Sequence, residues 1–438
     1  MSKIKGDFGA LKSQSALTGF DSASLIMIAI GSFLVLISAL RQVEGLILIP
    51  LGIAIISTNV PGLDFSLTGF QAALNSDDAP VLLEFAQIFE LQSLDPNVLA
   101  KAYADAEPSV QRLADTAAEQ SGYYTGVFKW MHTYFIASGL MPMLLFFAMG
   151  MLVDMSALLS NRKSILIGMA AQAGMFLILV CGVILTDSGV VNLAFKDIAL
   201  ISLLGSGDGA LLVYTANELN SSRLVILGVC AYMAIAFLPI VQPLVVRLLT
   251  SDKERCIKMS PRKSVPFWHK VVLSGLVLAL VAAFFPITLP CIGVFFLGNL
   301  LKELLSRSGW LHVVQRVFMN VPMVLLMLAL GSQLTAGRFL NAHAFIFLGL
   351  SLAGLIAGTV AAIIFIKLMN AVSVSKINPI VGAAGVSAIP ITAKTCHEMA
   401  QSLDKNNHIL MDAIAANISG FLMSAMVVSA LLKYYSGI

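Results

Sequence analysis

The chain runs to 438 residues, with a hydrophobic fraction of 58%, only 12% charged residues, a formal net charge of +3 and a mean hydropathy of +0.89. A soluble globular chain carries about 25% charge, so a soluble enzyme is excluded, and so small a net charge gives no basis for a nucleic-acid partner. Long apolar runs without strand-like alternation make this an all-α integral membrane protein, held in a lipid bilayer.

In chain order, residues 1–20 mix Lys3, Lys5 and Lys12 with Phe8, Leu11 and Phe20, and read as a helix at the membrane interface. They lack the apolar core and cleavage site of a signal peptide, so insertion through the chain's own helices is expected. About ten membrane spans are predicted, at 24–40, 45–60, 127–151, 164–186, 223–248, 270–285, 287–304, 317–334, 343–368 and 408–432. Two interrupted segments, 197–216 and 378–395, are expected to be re-entrant hairpins. Residues 62–126 differ in character: ten Asp and Glu stand against only Lys101 and Arg112, and Pro80, Pro96 and Pro108 break the run. A soluble, partly helical insertion is expected there. Loop 247–270 is the reverse, with seven Lys and Arg against Asp252 and Glu254. The organisation is then an interfacial segment with the first spans (1–61), an acidic insertion (62–126), a first repeat core (127–250) with the broken segment 197–216, a basic loop (251–269), and a second repeat (270–438) with the broken segment 378–395. The five cysteines, Cys181, Cys230, Cys256, Cys291 and Cys396, are scattered without a CxxC, so neither a disulfide framework nor a zinc site is expected.

The positive-inside bias places loop 247–270 in the cytoplasm. Counting spans backward from it puts the acidic insertion outside and makes segment 197–216 enter and leave at the outer face. Counting forward, segment 378–395 enters from the cytoplasmic face, and Lys394 and Lys405 lie on that side. One hairpin from each side is the geometry of two inverted-topology repeats. The expected location is a bacterial-type inner membrane, crossed many times. The same count leaves the N-terminus outside, against the preference of its lysines.

Lipid cannot hydrogen-bond a free amide or carbonyl, so irregular backbone at bilayer depth must be buried in protein or line a wet cavity. Asn378-Pro-Ile-Val-Gly-Ala-Ala-Gly-Val-Ser-Ala-Ile-Pro390 is therefore the most informative stretch, and Gly205-Ser-Gly-Asp208-Gly is its counterpart in the first half. A carboxylate at the bilayer centre costs about 2.5–3.5 kcal/mol on insertion scales unless paired or wet. Asp208, between Gly207 and Gly209, is thus the first candidate for binding Na+ or a proton; the competing reading is a helix cap. Asn378 and Ser387 offer neutral oxygens on the second break, where Gly382 and Gly385 permit close approach. For Asn378 the competing reading is again an N-cap. Tyr232 falls inside span 223–248, where a buried phenol needs a partner. Lys394 lies where it can receive an anionic group at the membrane surface, or extend to water as interfacial lysines do. His132 reads as an interface residue and Asp154 as a helix cap. No P-loop, HExxH or nucleophile elbow occurs, so ATP is not the energy source in this subunit.

The same stretches carry a family resemblance. Glu44-Gly-Leu-Ile-Leu-Ile-Pro50-Leu-Gly resembles the opening EPxxLLPIG of the β subunits of biotin-dependent, sodium-pumping decarboxylases, whose members act on oxaloacetate, methylmalonyl-CoA, glutaconyl-CoA or malonate. Asp154-Met-Ser-Ala-Leu-Leu-Ser-Asn-Arg162 resembles that family's DxxxLLANPR, and Gly168-Met-Ala-Ala-Gln172 follows it. Tyr232-Met-Ala with Pro239-Ile-Val-Gln242-Pro243 resembles YMALVPxIQP, and the stretch 378–390 is nearly NPLIGAAGVSAVP. The match runs along most of the chain and leaves 62–126 outside.

The resemblance implies that a cytoplasmic carboxyltransferase and biotin-carrier subunit delivers carboxybiotin, which this chain decarboxylates while moving Na+ outward and consuming a proton. It implies two inverted repeats resembling elevator-type carriers, a homotrimer, and a small γ-type membrane subunit. Asp208, Asn378 and Ser387 are implied as sodium-binding or proton-coupled groups, with Gly382 shaping the site. Asp208, Tyr232 and Lys394 form the implied catalytic set, Tyr232 once two inserted residues are allowed before Pro239. No covalent biotin is expected here, because Ile257-Lys258-Met259 has no β-rich carrier domain around it.

Three departures stand near this centre. The family's DGPT is Asp208-Gly-Ala-Leu, its arginine after the second hairpin is Lys394, and its HAMGPN is Asp412-Ala-Ile-Ala-Ala-Asn417. Arginine grips a carboxylate in two places, whereas lysine is a point charge. They keep open a second function, a Na+- or H+-coupled carrier of a small anion on the same scaffold without decarboxylation. An inactive structural paralogue fits less well, since buried polar groups without a role cost stability.

Overall fold

The computed structural model describes residues 20–436 apart from 42–43, 62–64, 66, 77, 161–162, 260–264, 307–308, 341 and 387–389. Among the described residues all regular secondary structure is helical. Among the described residues eight helices are long and apolar enough to cross a membrane, and a ninth crossing results if the pair Val127–Ala137 and Leu140–Leu152, bent by 58°, counts as one.

The chain opens with α1 (Ser22–Arg41) and α2 (Gly45–Asn59). At 15 residues α2 is shorter than a straight crossing needs, so the span expected at 45–60 is a helix but not a full-length one. The acidic insertion then folds as four short helices, α3 (Gly69–Asn75), α4 (Ala79–Ile88), α5 (Pro96–Asp105) and α6 (Pro108–Gln120), around its own small core. Phe70 stacks on Tyr103 with ring centroids 4.3 Å apart. Two of its acids are engaged by phenols: Tyr103 donates to Asp115 (2.9 Å) and Tyr123 to Asp78 (3.1 Å).

After α7 (Val127–Met131), a π turn at His132–Ala137 and α8 (Leu140–Leu152), α9 (Lys163–Ala171) and α10 (Ala173–Asp187) together make one crossing. The first broken segment follows: α11 (Phe195–Ser202), a tight 3-10 turn at Leu203–Ser206, and α12 (Gly209–Glu218). Its two ends are tied together, since Lys196 Nζ donates to the Leu219 carbonyl and Arg223 pairs with Asp197 at 3.3 Å. The segment therefore returns to the end from which it set out, as a hairpin. From there α13 (Leu224–Leu249) runs for 26 residues, about 39 Å at the helical rise of roughly 1.5 Å per residue.

The remaining helices are α14 (Phe267–Phe284), α15 (Leu289–Leu305), α16 (Leu311–Gly331) and α17 (Ala342–Val372), then the second broken segment, a single turn at Ile380–Ala383 leading to α18 (Ile391–Leu403), and finally α19 (Leu410–Ser436). The two ends of the second broken segment also meet. Asn378 and Asn407 both donate to the Arg255 carbonyl, in the loop just past α13. The bases of the two hairpins thus lie at opposite ends of α13, one beside Arg223 and one beside Arg255.

The first part of the basic loop is tied to its surroundings. Lys367 Nζ reaches Glu254 (3.1 Å) and the Leu249 carbonyl (2.8 Å), and Lys258 pairs with Asp404 (3.0 Å). A second ionic cluster joins Lys270 to Asp154 (3.2 Å) and Glu303 (2.9 Å), and Lys302 donates to the Val153 carbonyl. Asp154 also caps Ser156 N–H at 2.9 Å. Burial works to raise its pKa, but Lys302, the Ser156 N–H and Lys270 together hold the carboxyl below the usual range.

Candidate functional site

The tip of the first hairpin is built from its own short residues. Ser206 Oγ accepts from Asp208 N–H (3.1 Å), Gly207 takes a left-handed φ of +79°, and Asp208 Oδ1 accepts from Leu211 N–H (3.0 Å) to start α12. Asp208 is therefore an N-cap as well as a carboxylate buried to 4% exposure. The tip can come this deep because Gly205 has no side chain: a Cβ there would stand 2.6 Å from the Gly174 carbonyl carbon.

Tyr232 of α13 lies beside this tip, with its ring against Gly209, where an added Cβ would be 2.8 Å from Cζ. Asp208 and Tyr232 line a cavity of about 30 Å3 that is otherwise mostly apolar, with Ile47, Leu145, Met149, Met319, Met323 and Ile391 in its wall. That is room for a water or two, or for one cation stripped of most of its water. Ile235 also lines it, and four residues on Pro239 lacks the N–H that would otherwise take the Ile235 carbonyl.

The second hairpin is organised differently. Asn378 gives its amide to the Arg255 and Ile257 carbonyls (2.7 and 2.9 Å) and its Oδ1 accepts from Ile380 N–H (3.0 Å), the local turn that its competing N-cap reading described. Gly382 packs against α17, where a Cβ would be 2.9 Å from Ala362. Neither lines the Asp208 cavity, and Ser387 lies outside the described residues. The sequence-expected ion group is therefore divided in this structure: Asp208 and Tyr232 share a cavity, while Asn378 and Gly382 lie in other surroundings.

Two buried amides near the second tip were missed by sequence reasoning except as motif letters. Gln242 donates to the Ala383 carbonyl (2.7 Å), and Asn417 to the Ala384 and Val386 carbonyls (3.0 and 3.2 Å) and to Thr392 (2.5 Å). Both side chains are 1% exposed, and among the described residues their carbonyl oxygens, Gln242 Oε1 and Asn417 Oδ1, have no hydrogen-bond donor. Such orphan acceptors are costly when buried, and a cation would satisfy them.

A larger cavity of about 580 Å3 adjoins the small one. It is walled by Glu44, His312, Gln315, Arg316, Asn320 and Lys394, and it shares Ile47, Met319, Met323 and Ile391 with the Asp208 cavity. The larger cavity, the mouth, carries the polar side chains, and the four apolar side chains it shares with the smaller one form their common wall. Lys394 is mostly exposed there, 3.8 Å from Glu398. Burial pushes the Glu44 pKa up, Lys394 opposes that and Glu398 adds to it. The α16 residues of this wall, at 312, 315, 316, 319, 320 and 323, follow helical spacing along one face, a signal present in the sequence and not used.

A family model described as "Na+-transporting oxaloacetate decarboxylase beta subunit" matches residues 23–435. The chain belongs to this family. Its curated relatives include an oxaloacetate decarboxylase beta chain of Haemophilus ducreyi, 32% identical over 94% of this chain and 95% of that one. A methylmalonyl-CoA decarboxylase subunit beta of Propionigenium modestum is 28% identical over 95% and 96%, and a glutaconyl-CoA decarboxylase subunit beta of Acidaminococcus fermentans is 31% identical over 68% and 77%. The bounds of the family match enclose residues 62–126, which have a helical core of their own.

Proposed function

We propose that this β subunit decarboxylates carboxybiotin, brought by a carboxyltransferase and biotin-carrier subunit, and uses the reaction to move Na+ outward across a bacterial-type inner membrane. The observation that carries this reading is the polar cavity at Lys394 lying against the Asp208 cavity across a shared apolar wall. The mouth offers cations to an arriving carboxylate. The apolar wall favours loss of charge as N–COO− plus a proton becomes N–H plus CO2.

Asp208 is the coupling group. At 4% exposure its carboxylate needs a cation or a proton at all times. A Na+ leaving outward is replaced by a proton, and that proton is passed, through the neighbouring Tyr232 hydroxyl, to the biotin nitrogen left by CO2. Asn378 and Ser387, with Gly382 shaping the turn, form the second ion-binding group at the other hairpin. Moving one Na+ against 100 mV needs about 2.3 kcal/mol.

Hairpins based at opposite ends of α13 support two inverted repeats, 127–250 and 270–438, acting as an elevator-type carrier. We infer a homotrimer with a γ-type subunit, the insertion outside and loop 247–270 in the cytoplasm, where the carrier docks. Membership in a decarboxylase family favours this reading over a plain Na+- or H+-coupled anion carrier. The test uses purified protein in proteoliposomes with a carboxybiotin-loaded carrier domain and ²²Na+. CO2 release that rises with Na+ and drives its transport is expected; Na+ exchange without CO2 release would leave only the carrier.

A further inference from the structure

Lys394 lines the mouth as a compact charge, and an ammonium group cannot hold both oxygens of a carboxylate in one plane. The same lining supplies a guanidinium. Arg316, in the first turns of α16, lines the same 580 Å3 cavity as Lys394. Among the described residues it makes no hydrogen bond or ion pair, whereas its neighbour Gln315 is committed to the Met151 carbonyl at 2.6 Å.

The plain alternative is an interfacial arginine extended to water. One thing sets Arg316 apart from that. It shares its helix face with Met319 and Met323, which form the wall common to the mouth and the Asp208 cavity. A group held by Arg316 therefore lies against that wall. Among the described residues lining this cavity, Glu44 is the one acidic residue beside the cations Arg316 and Lys394.

We propose that Arg316 is the substrate-positioning residue of this mouth, gripping the carboxylate of carboxybiotin with its planar fork while Lys394 of the same lining neutralises it. The proposal rests on the reading that carboxybiotin is the substrate. Its consequence is specific. A cation at the mouth that holds the substrate equally well before and during the loss of CO2 contributes uniform binding, so Arg316 acts on KM and leaves kcat nearly unchanged.

The experiment uses the full complex in proteoliposomes, with variants Arg316→Lys, Arg316→Ala and the double variant Arg316→Ala with Lys394→Arg. KM for the loaded carrier should rise about tenfold to a hundredfold in the two single variants, the range for losing a charge-assisted hydrogen bond. The double variant, with its fork returned at the position of Lys394, should recover most of that loss. Unchanged KM in Arg316→Ala, with active wild type, overturns the proposal and leaves the pump intact; so does a fall in kcat alone. If wild type releases no CO2, the pump reading fails, and binding of the carrier in detergent decides about Arg316. There, tighter binding of the carboxybiotin form than of the biotin form, lost in Arg316→Ala, supports the proposal. Equal binding of the two forms by wild type rejects it.

Discussion

Asn378 and Asn407, at the two ends of the second hairpin, donate to the same acceptor, the Arg255 carbonyl, at 2.7 and 3.0 Å. A carbonyl oxygen has two lone pairs and can take both. The loop past α13 thereby closes the base of the hairpin as a strap.

This strap can be tested apart from transport. Asn407→Ala removes one amide donor and should cost about 1 kcal/mol, while Asn378→Ala, which loses three bonds, should cost about 2–3 kcal/mol. Faster amide exchange or cleavage at Lys253, Arg255 and Lys258 should follow in both. Asn378→Asp separates the roles, since an aspartate keeps the turn to Ile380 and is a stronger Na+ ligand but cannot donate to the loop. A strap that stays protected in Asn378→Asp would rule out the latch.

Asp208 has two jobs, a cap on α12 and the proposed ion group, and substitutions divide them. Asparagine caps a helix about as well as aspartate, whereas alanine costs about 1 kcal/mol. Asp208→Asn should therefore keep its thermal midpoint but lose Na+-dependent turnover by about 100-fold or more, the scale of losing a charge in a water-excluded site. Asp208→Ala should lose both. Wild-type Na+ dependence in Asp208→Asn would remove this residue from the mechanism.

The contact between Gly209 and the Tyr232 ring leaves no space for a methyl group. Gly209→Ala should displace the phenol and cost about 1–3 kcal/mol, as overpacking does. Tyr232→Phe should keep that packing and remove only the hydroxyl. If the hydroxyl carries the proton, Tyr232→Phe slows turnover at saturating substrate while its midpoint barely moves. Equal turnover in wild type and Tyr232→Phe would leave the ring as packing alone.

The hairpins were legible because glycine, proline and a carboxylate interrupt apolar runs at Gly205–Gly209 and Asn378–Pro390, where lipid tolerates no loose backbone. Pairing at their bases was not, because apart from the Arg223–Asp197 ion pair it runs through main-chain carbonyls of Leu219 and Arg255, which carry no side-chain signature. The same cause hid the use of Asn378: a sequence displays its amide as a ligand but not the loop carbonyls that claim it. Asp208 and Tyr232 could each be nominated singly, and only the fold of Gly209 against the ring shows that they share a cavity. The span at 45–60 was placed correctly as a helix, yet its 15 residues stop short of a crossing.

Glu44, in the wall of the mouth, gives the pH prediction. Burial raises its pKa above the ordinary 4.5, Lys394 only partly offsets this, and Glu398 reinforces it. A carboxyl whose folded pKa is raised contributes stability that is complete below its unfolded value and is lost as pH rises through the folded one. At pH 7 the ionised Glu44 is then a burden that a neutral side chain avoids. Glu44→Gln should raise the thermal midpoint at pH 7 and leave it unchanged near pH 4, where both side chains are neutral. The gain should stay below about 1 kcal/mol, because the side chain is still partly open to water. A variant that melts lower than wild type at pH 7 would show that the pairing with Lys394 outweighs the burial.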